Sequence, residues 1–338
     1  MGIRIGLIGA GRMGKVFANT LAFTVAEVDL VAVADPDETT LDEVAGRYNI
    51  GAKYRDYRDL LASKDVEAVV VTSPTGTHAE VIAAAAAAGK NIFSEKPLSQ
   101  NLPACDAAIE AVRKSGVKLQ MGFMRRFDPP YVAAKQKILD GVIGAPVMFK
   151  SVSRDPKRTS LEFAKRENSG GLILDMGVHD FDLARWLMGS EVTRVSTEGA
   201  CLAFPELKDV GDIDNAVINL RFANDAIGNI DMSRNAVYGY DIRTEVLGTD
   251  GSLWIGYLQQ TPTLVLTRSG VCHDTVPYFM ERFGIAYAEE VRAFMRCILE
   301  GRDPQPTGAD ARAATAIGIA ATLSLDENRS VLVNEIDG

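Results

Sequence analysis

Residues 3–8 read Ile-Arg-Ile-Gly-Leu-Ile, and Gly9-Ala10-Gly11-Arg12-Met13-Gly14 follows without a break. The apolar run predicts a buried strand, and the residues from Lys15 to Leu21 predict a helix. A strand that turns into a helix through glycines at 9, 11 and 14 needs one for the tight turn. It needs another for close backbone approach to a ligand, and the third for close packing of helix on strand. The amides at the start of that helix face whatever lies on the turn, and they favour an anion such as a pyrophosphate. A second apolar run, Val28–Ala34, ends at Asp35, 21 residues past Gly14 (35 minus 14). An acid there can accept the ribose hydroxyls of an adenosine and repels a 2′-phosphate. The pattern therefore predicts NAD, with NADP less favoured; Arg12, beside the turn, is the residue that keeps NADP in view. Gly9, Gly11, Arg12, Met13, Gly14 and Asp35 are the expected cofactor residues.

Strand and helix signals continue to alternate: helix from Thr40 to Arg47, strand from Val66 to Val71, an alanine-rich helix from Ala79 to Ala88, and short strands near Ile92 and Leu119. That alternation predicts a parallel, doubly wound sheet with helices on both faces. After Gly122 the rhythm changes to successive β-rich stretches: 147–153, 192–201, 216–222, 227–232, 242–247 and 252–255. Asn224-Asp225 and Thr249-Asp250-Gly251 supply hairpin turns between them. Helices are expected at Ala286–Glu300 and Ala309–Leu325. The expected fold class is α/β. Residues 1–122 would form a Rossmann domain that binds NAD. Residues 123–338 would form an α/β domain on a large, mainly antiparallel open sheet, for substrate binding and oligomerisation.

At 338 residues the chain has room for two cored domains. A net charge of −9 argues against a broad nucleic-acid surface, and no apolar run approaches the roughly 18 residues of a membrane span. No secretory signal pattern opens the sequence, so the expectation is a cytoplasmic protein without nucleic-acid or membrane partners. Cys105, Cys201, Cys272 and Cys297 are scattered and form no CxxC pair, which predicts four reduced thiols and no cysteine metal site.

Two further strings carry chemistry. Glu95-Lys96-Pro97 follows the strand near Ile92, at the carboxyl end where doubly wound sheets bind ligands. A lysine there can reach the nicotinamide end of the cofactor and a substrate oxygen. In Gly170-Gly171-Leu172-Ile173-Leu174-Asp175-Met176-Gly177-Val178-His179-Asp180-Phe181-Asp182, a helix would put Asp175 and His179 on one face at i, i+4. A carboxylate beside an imidazole suits a general base, since it orients the ring and stabilises its charged form. The same two residues could instead be a helix cap and a buried structural histidine. His273 has no partner in the pattern and reads as structural.

Together with the loop Ser73-Pro74-Thr75-Gly76-Thr77-His78, these strings resemble the glucose-fructose oxidoreductase and inositol dehydrogenase family over almost the whole chain. Met121–Asp128 and Ser153–Pro156 look most like its inositol dehydrogenases. The resemblance implies a catalytic set of Lys96, Asp175 and His179, with Ser73, Thr75, His78, Glu95 and Lys96 bordering the cofactor. It also implies substrate contacts at Arg126, Asp155 and Tyr238, with Asp182 as a weaker addition, and a homotetramer. The implied reaction is NAD-dependent oxidation of a secondary hydroxyl of myo- or scyllo-inositol to a keto-inositol, with no metal required. The alternatives are an aldose 1-dehydrogenase giving a lactone, an NAD-dependent glycosidase, and a non-catalytic NAD sensor.

Overall fold

The computed structural model describes residues 2–336, which form two compact units. The first comprises residues up to Phe127 together with Ile285–Thr315; the second comprises Asp128–Gly284 together with the residues from Ala316 onward. A division after residue 122 thus follows the order of the chain but leaves out the return of 285–315 to the first unit. The reason is aromatic packing. Tyr287 stacks edge-on to Phe17 at 5.8 Å, and Phe294 meets Phe93 at 6.0 Å. Each such buried ring is worth about 1.5–3 kcal/mol of burial.

In the first unit β1 (Ile3–Ile8), α1 (Arg12–Phe23), β2 (Val28–Ala34), α2 (Glu38–Tyr48), β3 (Ala52–Tyr54), α3 (Tyr57–Ala62), β4 (Ala68–Val71), α4 (His78–Ala87), β5 (Asn91–Glu95), α5 (Leu102–Ser115) and β6 (Leu119–Gly122) alternate as expected. The short elements β3 and α3, and the helix α5, are additions to the sequence reading. The six strands pair in parallel in the order β3-β2-β1-β4-β5-β6, the doubly wound order of a Rossmann sheet. β4 is buried at all four positions, as a central parallel strand must be. Local signals set the helix ends. Asp37 accepts the Thr40 amide at 2.7 Å to start α2, and Asn101 accepts the Ala104 amide at 3.0 Å to start α5.

The second unit contains α6 (Pro129–Leu139), β7 (Pro146–Arg154), the single turns α7 (Leu161–Ala164) and α8 (Arg166–Ser169), and the long helix α9 (Gly171–Met188). β8 (Val192–Ala200), β9 (Asn215–Phe222), β10 (Ile227–Ser233), β11 (Asp241–Gly248) and β12 (Ser252–Ile255) follow. A two-stranded hairpin comes next, β13 (Leu264–Thr267) and β14 (Gly270–His273). In chain order α10 (Phe279–Glu300) and α11 (Gly308–Glu327) come next, with 285–315 belonging to the first unit, and β15 (Val331–Leu332) closes the second. The order β12-β11-β7-β10-β9-β8-β15 is antiparallel throughout except for β7 with β10.

β9 alternates buried Ala216, Ile218 and Leu220 with outward Val217 and Asn219, so the sheet has one covered face and one open face. Val217, Ile227, Leu247 and Trp254 lie exposed on its strands. Among the described residues no helix is long and apolar enough to cross a membrane.

Candidate active site

The glycine turn and the loop after β4 meet at the point where the strand order reverses, between β1 and β4. Gly9 has φ +92°, and a Cβ on it would lie 2.5 Å from the Ser73 amide nitrogen. At Gly14 a Cβ would strike the Gly9 carbonyl oxygen. Gly11, by contrast, has open space where a Cβ would go, and it caps α1 with no side-chain hydrogen bond. A bare backbone shelf at a helix N-terminus is what a pyrophosphate needs, so these residues fit the phosphate end of a dinucleotide. Thr72 donates its hydroxyl to the Gly9 carbonyl at 2.6 Å and fixes the shelf to β4.

Asp35 ends β2 as expected. Its Oδ2 accepts the Ala10 amide at 2.7 Å and its Oδ1 accepts the Asp37 amide at 2.9 Å. The side chain therefore braces the glycine turn itself, a role the spacing did not indicate. The cap of α2 falls to Asp37.

Ser73 and Thr77 share a hydroxyl hydrogen bond of 2.7 Å, and Thr75 opens a single 3-10 turn ahead of α4. His78 is buried, with Nδ1 2.8 Å from the Pro97 carbonyl oxygen and Nε2 2.8 Å from the Ser73 carbonyl oxygen. Burial drives its basicity down against the pull of both carbonyls, and the nearby Lys96 charge adds to the decrease. His78 thus acts as a strut between two loops. Lys96 stands just past β5, half-buried, and its amide donates to Glu95 Oε2 at 3.1 Å. Met13 and Arg12 occupy the first turn of α1, where Arg12 is exposed and its charge acts on Glu95.

In the second unit, α9 is a helix across the whole string that contains Asp175 and His179, so the two do share a face. Gly170 at φ +80° admits the chain, and Asp212 accepts the Leu172 amide at 2.8 Å to cap it. From Gly171 to Ala184 every residue is buried except Asp175, which marks the opening of this helix to solvent. The cap is Asp212 and not Asp175, while His179 is buried, as the structural alternative also has it. Asp175 is held by Arg234, whose Nη2 lies 3.2 Å from its Oδ2. Arg234, just past β10, is 1% exposed, and Asp212 stands 4.0 Å from the same Nη2. Burial raises the Asp212 carboxyl, opposed by the Leu172 amide. Nothing in the sequence pattern marked Arg234, because a charge after an apolar strand usually meets solvent. Asp182 is buried one turn beyond His179, and Asp180 accepts the Ser151 hydroxyl of β7, which seats the helix on the sheet.

The remaining expected contacts are engaged elsewhere in part. Arg126 donates to Asp310 at 3.1 Å within the first unit. Burial works to raise the Asp310 carboxyl, but Arg126 and Thr307 outweigh it and hold it low. Tyr238 donates its hydroxyl to Asp241 at 2.9 Å and accepts from Arg154 at 3.1 Å. It borders an open depression of about 580 Å³ on the sheet face, together with Arg154, Asp231 and Asn215. Asp155 is tied by its backbone to Ser233 and Ala236.

Residues 3–123 match the model of an oxidoreductase family with an NAD-binding Rossmann fold, and residues 131–254 match the GFO/IDH/MocA C-terminal domain. The chain is 40% identical to the scyllo-inositol 2-dehydrogenase (NAD(+)) of Bacillus subtilis, over 95% of this chain and 94% of that one. It is also 40% identical to the myo-inositol 2-dehydrogenase of Thermotoga maritima, over 99% and 100%. The solved scyllo-inositol dehydrogenase of Lactobacillus casei, with bound NAD(H) and scyllo-inositol, superposes with a TM-score of 0.95 at 32% identity, covering 99% of this chain and 100% of that one. With both domains matched and relatives alike from end to end, the chain belongs to the glucose-fructose oxidoreductase and inositol dehydrogenase (GFO/IDH/MocA) family of oxidoreductases, and its N-terminal domain is an NAD-binding Rossmann domain.

Proposed function

We propose that this protein is an NAD-dependent inositol 2-dehydrogenase that oxidises one ring hydroxyl of scyllo- or myo-inositol to a ketone. The observation that carries this reading is the end-to-end likeness to inositol 2-dehydrogenases that act on these two isomers. When bound, NAD supplies the two-electron acceptor for the carbinol carbon. The protein must then manage the hydroxyl proton, because an alcohol is far too weak an acid to lose it unaided at neutral pH.

In this proposal His179 takes that proton, an assistance worth about 100- to 10,000-fold in rate. Asp175 orients the ring and stabilises its charged form, while Arg234 keeps Asp175 in place. Lys96 sets positive charge against the oxygen as its proton leaves. Gly9, Gly11, Met13 and Gly14 hold the pyrophosphate, Asp35 the adenosine ribose, and Ser73, Thr75 and Glu95 shape the cofactor's surroundings, with His78 acting through its two loops. Arg126, Asp155, Asp182 and Tyr238 are proposed on the substrate side. The open sheet face is read as the surface where copies assemble, four being the number the family resemblance implies.

The test is a panel of myo-inositol, scyllo-inositol and aldoses, read by NADH absorbance. Turnover of either inositol with stoichiometric NADH supports the proposal. Inert inositols beside one rapidly oxidised aldose would replace it with a sugar 1-dehydrogenase, and glycoside cleavage without net NADH would replace it with a hydrolase.

A further inference from the structure

The first unit contains two buried carboxyl groups, Glu95 at the end of β5 and Glu290 on α10, the latter with no exposed surface at all. Glu95 Oε2 accepts the Lys96 amide, but its Oε1 and both side-chain oxygens of Glu290 are buried with no hydrogen-bond partner among the described residues. An ionised carboxylate can only accept, so three buried acceptor atoms without donors are costly. Two full negative charges there would cost more still.

Packing brings the two groups to the same side of the sheet. Phe93, two residues before Glu95 and therefore on the same face, meets Phe294, and Glu290 lies one turn before Phe294 on the same helix. On β6, Gln120 stands opposite Phe93 and donates its side-chain amide to the Glu290 backbone carbonyl at 2.8 Å. Gly122 stands opposite Glu95, and a Cβ there would come within 3.4 Å of the Glu95 carboxyl carbon, so its bare backbone makes room for that group. The charged neighbours of the pair are Lys96 from β5 and Arg12 from α1; β6 presents only the neutral Gln120. Both cations act on Glu95, and the charge that acts on Glu290 is that of Glu95.

We propose that Glu95 and Glu290 hold one proton between them at neutral pH, so that a single negative charge stands beside Lys96. Glu290 supplies the missing donor: as a carboxylic acid it donates to Glu95, the member of the pair that gives up its proton first. Burial and then the Glu95 charge push Glu290 well above the ordinary carboxyl range, while burial raises Glu95 only to about 7 because Lys96 and Arg12 oppose it. Glu290 is in this sense a positioning residue, acting on the reaction through Glu95 and Lys96. That function rests on the reading of Lys96 given above, whereas the shared proton does not.

The experiment combines infrared spectroscopy with kinetics on the full-length enzyme. At pH 7 the wild type is expected to show the carbonyl stretch of a buried protonated carboxylic acid, and Glu290→Gln is expected to lose it. Retention of that band in Glu290→Gln overturns the proposal. In kcat/KM for inositol oxidation, Glu290→Gln, whose amide can still donate to Glu95, is expected to keep the acid limb of the pH profile near its wild-type position. Glu290→Leu cannot donate and is expected to move that limb upward by about one pH unit. Equal limbs in the two variants overturn the donor role. Should Glu290→Leu fail to fold, the infrared comparison and the Gln profile decide. If the wild type turns over no inositol, the dehydrogenase reading falls while the infrared result still judges the proton pair.

Discussion

The imidazole of His78 stands 2.8 Å from the Pro97 carbonyl oxygen through Nδ1, which ties the first residue of α4 to the turn that carries Lys96. Its other nitrogen holds Ser73 at the same distance, so one ring spans the loops after β4 and β5. His78→Ala removes the ring N–H that a neutral imidazole gives to one of these carbonyls, a cost of about 1–3 kcal/mol. The expected outcome is a lower melting temperature and kcat reduced about tenfold, with NAD affinity less affected. Steady-state kinetics and thermal melting check it; unchanged kcat would confine His78 to stability.

Removing the proposed base or the proposed cation tests the chemistry directly. His179→Ala and Lys96→Ala are each expected to lower turnover at least about 100-fold while NAD still binds, as followed by fluorescence titration. Near-normal turnover in either variant removes that residue from the mechanism.

Arg234 gives a test that the sequence pattern would not have suggested. Arg234→Met keeps much of the volume but removes the guanidinium from both Asp175 and Asp212. A roughly tenfold loss in kcat is expected from disordering the carboxylate behind the base, with NAD affinity unchanged because Arg234 belongs to the second unit. An equal loss of NAD binding would contradict a role confined to Asp175.

Asp35 has two tasks, and one substitution separates them. Asp35→Ser should weaken NAD binding far more than NADP binding, because the repulsion of a 2′-phosphate disappears along with the ribose acceptor. The brace to the Ala10 amide also goes, so affinity for both cofactors should fall from its ideal. An unchanged NAD to NADP ratio of dissociation constants would leave Asp35 as a brace alone.

The two raised carboxyls also set a stability trend. A carboxyl whose folded pKa lies above its unfolded value of 4.5 contributes its full stability below that value and loses it as pH rises through the folded pKa. For Glu95 that window runs from 4.5 to about 7, and for Glu290 it extends higher. Glu290→Gln, which has no proton to lose, should therefore gain melting temperature relative to the wild type as pH rises from about 5 to about 8. A difference that stays constant with pH would show that Glu290 titrates normally.

Local chemistry was enough to read the glycine turn, the place of Asp35 at the end of β2, the place of Lys96 after β5 and the i, i+4 spacing of Asp175 and His179 on one helix. Each depends on strand or helix period over a few residues, and the period held: α9 is helical across its string and Gly9 does take a positive φ. The alternating helices and strands of the first 122 residues and the mainly antiparallel sheet that follows were legible for the same reason. The tertiary structure alone decided that residues 285–315 return to the first unit, that Arg234 is buried against Asp175, that the His78 ring lies between two carbonyls, and that Glu95 and Glu290 are both buried. Most of those relationships join residues far apart in the chain, from His78 and Pro97 at 19 positions to Phe17 and Tyr287 at 270, and they follow from which apolar faces cover one another, a property of the packed chain that no local period records.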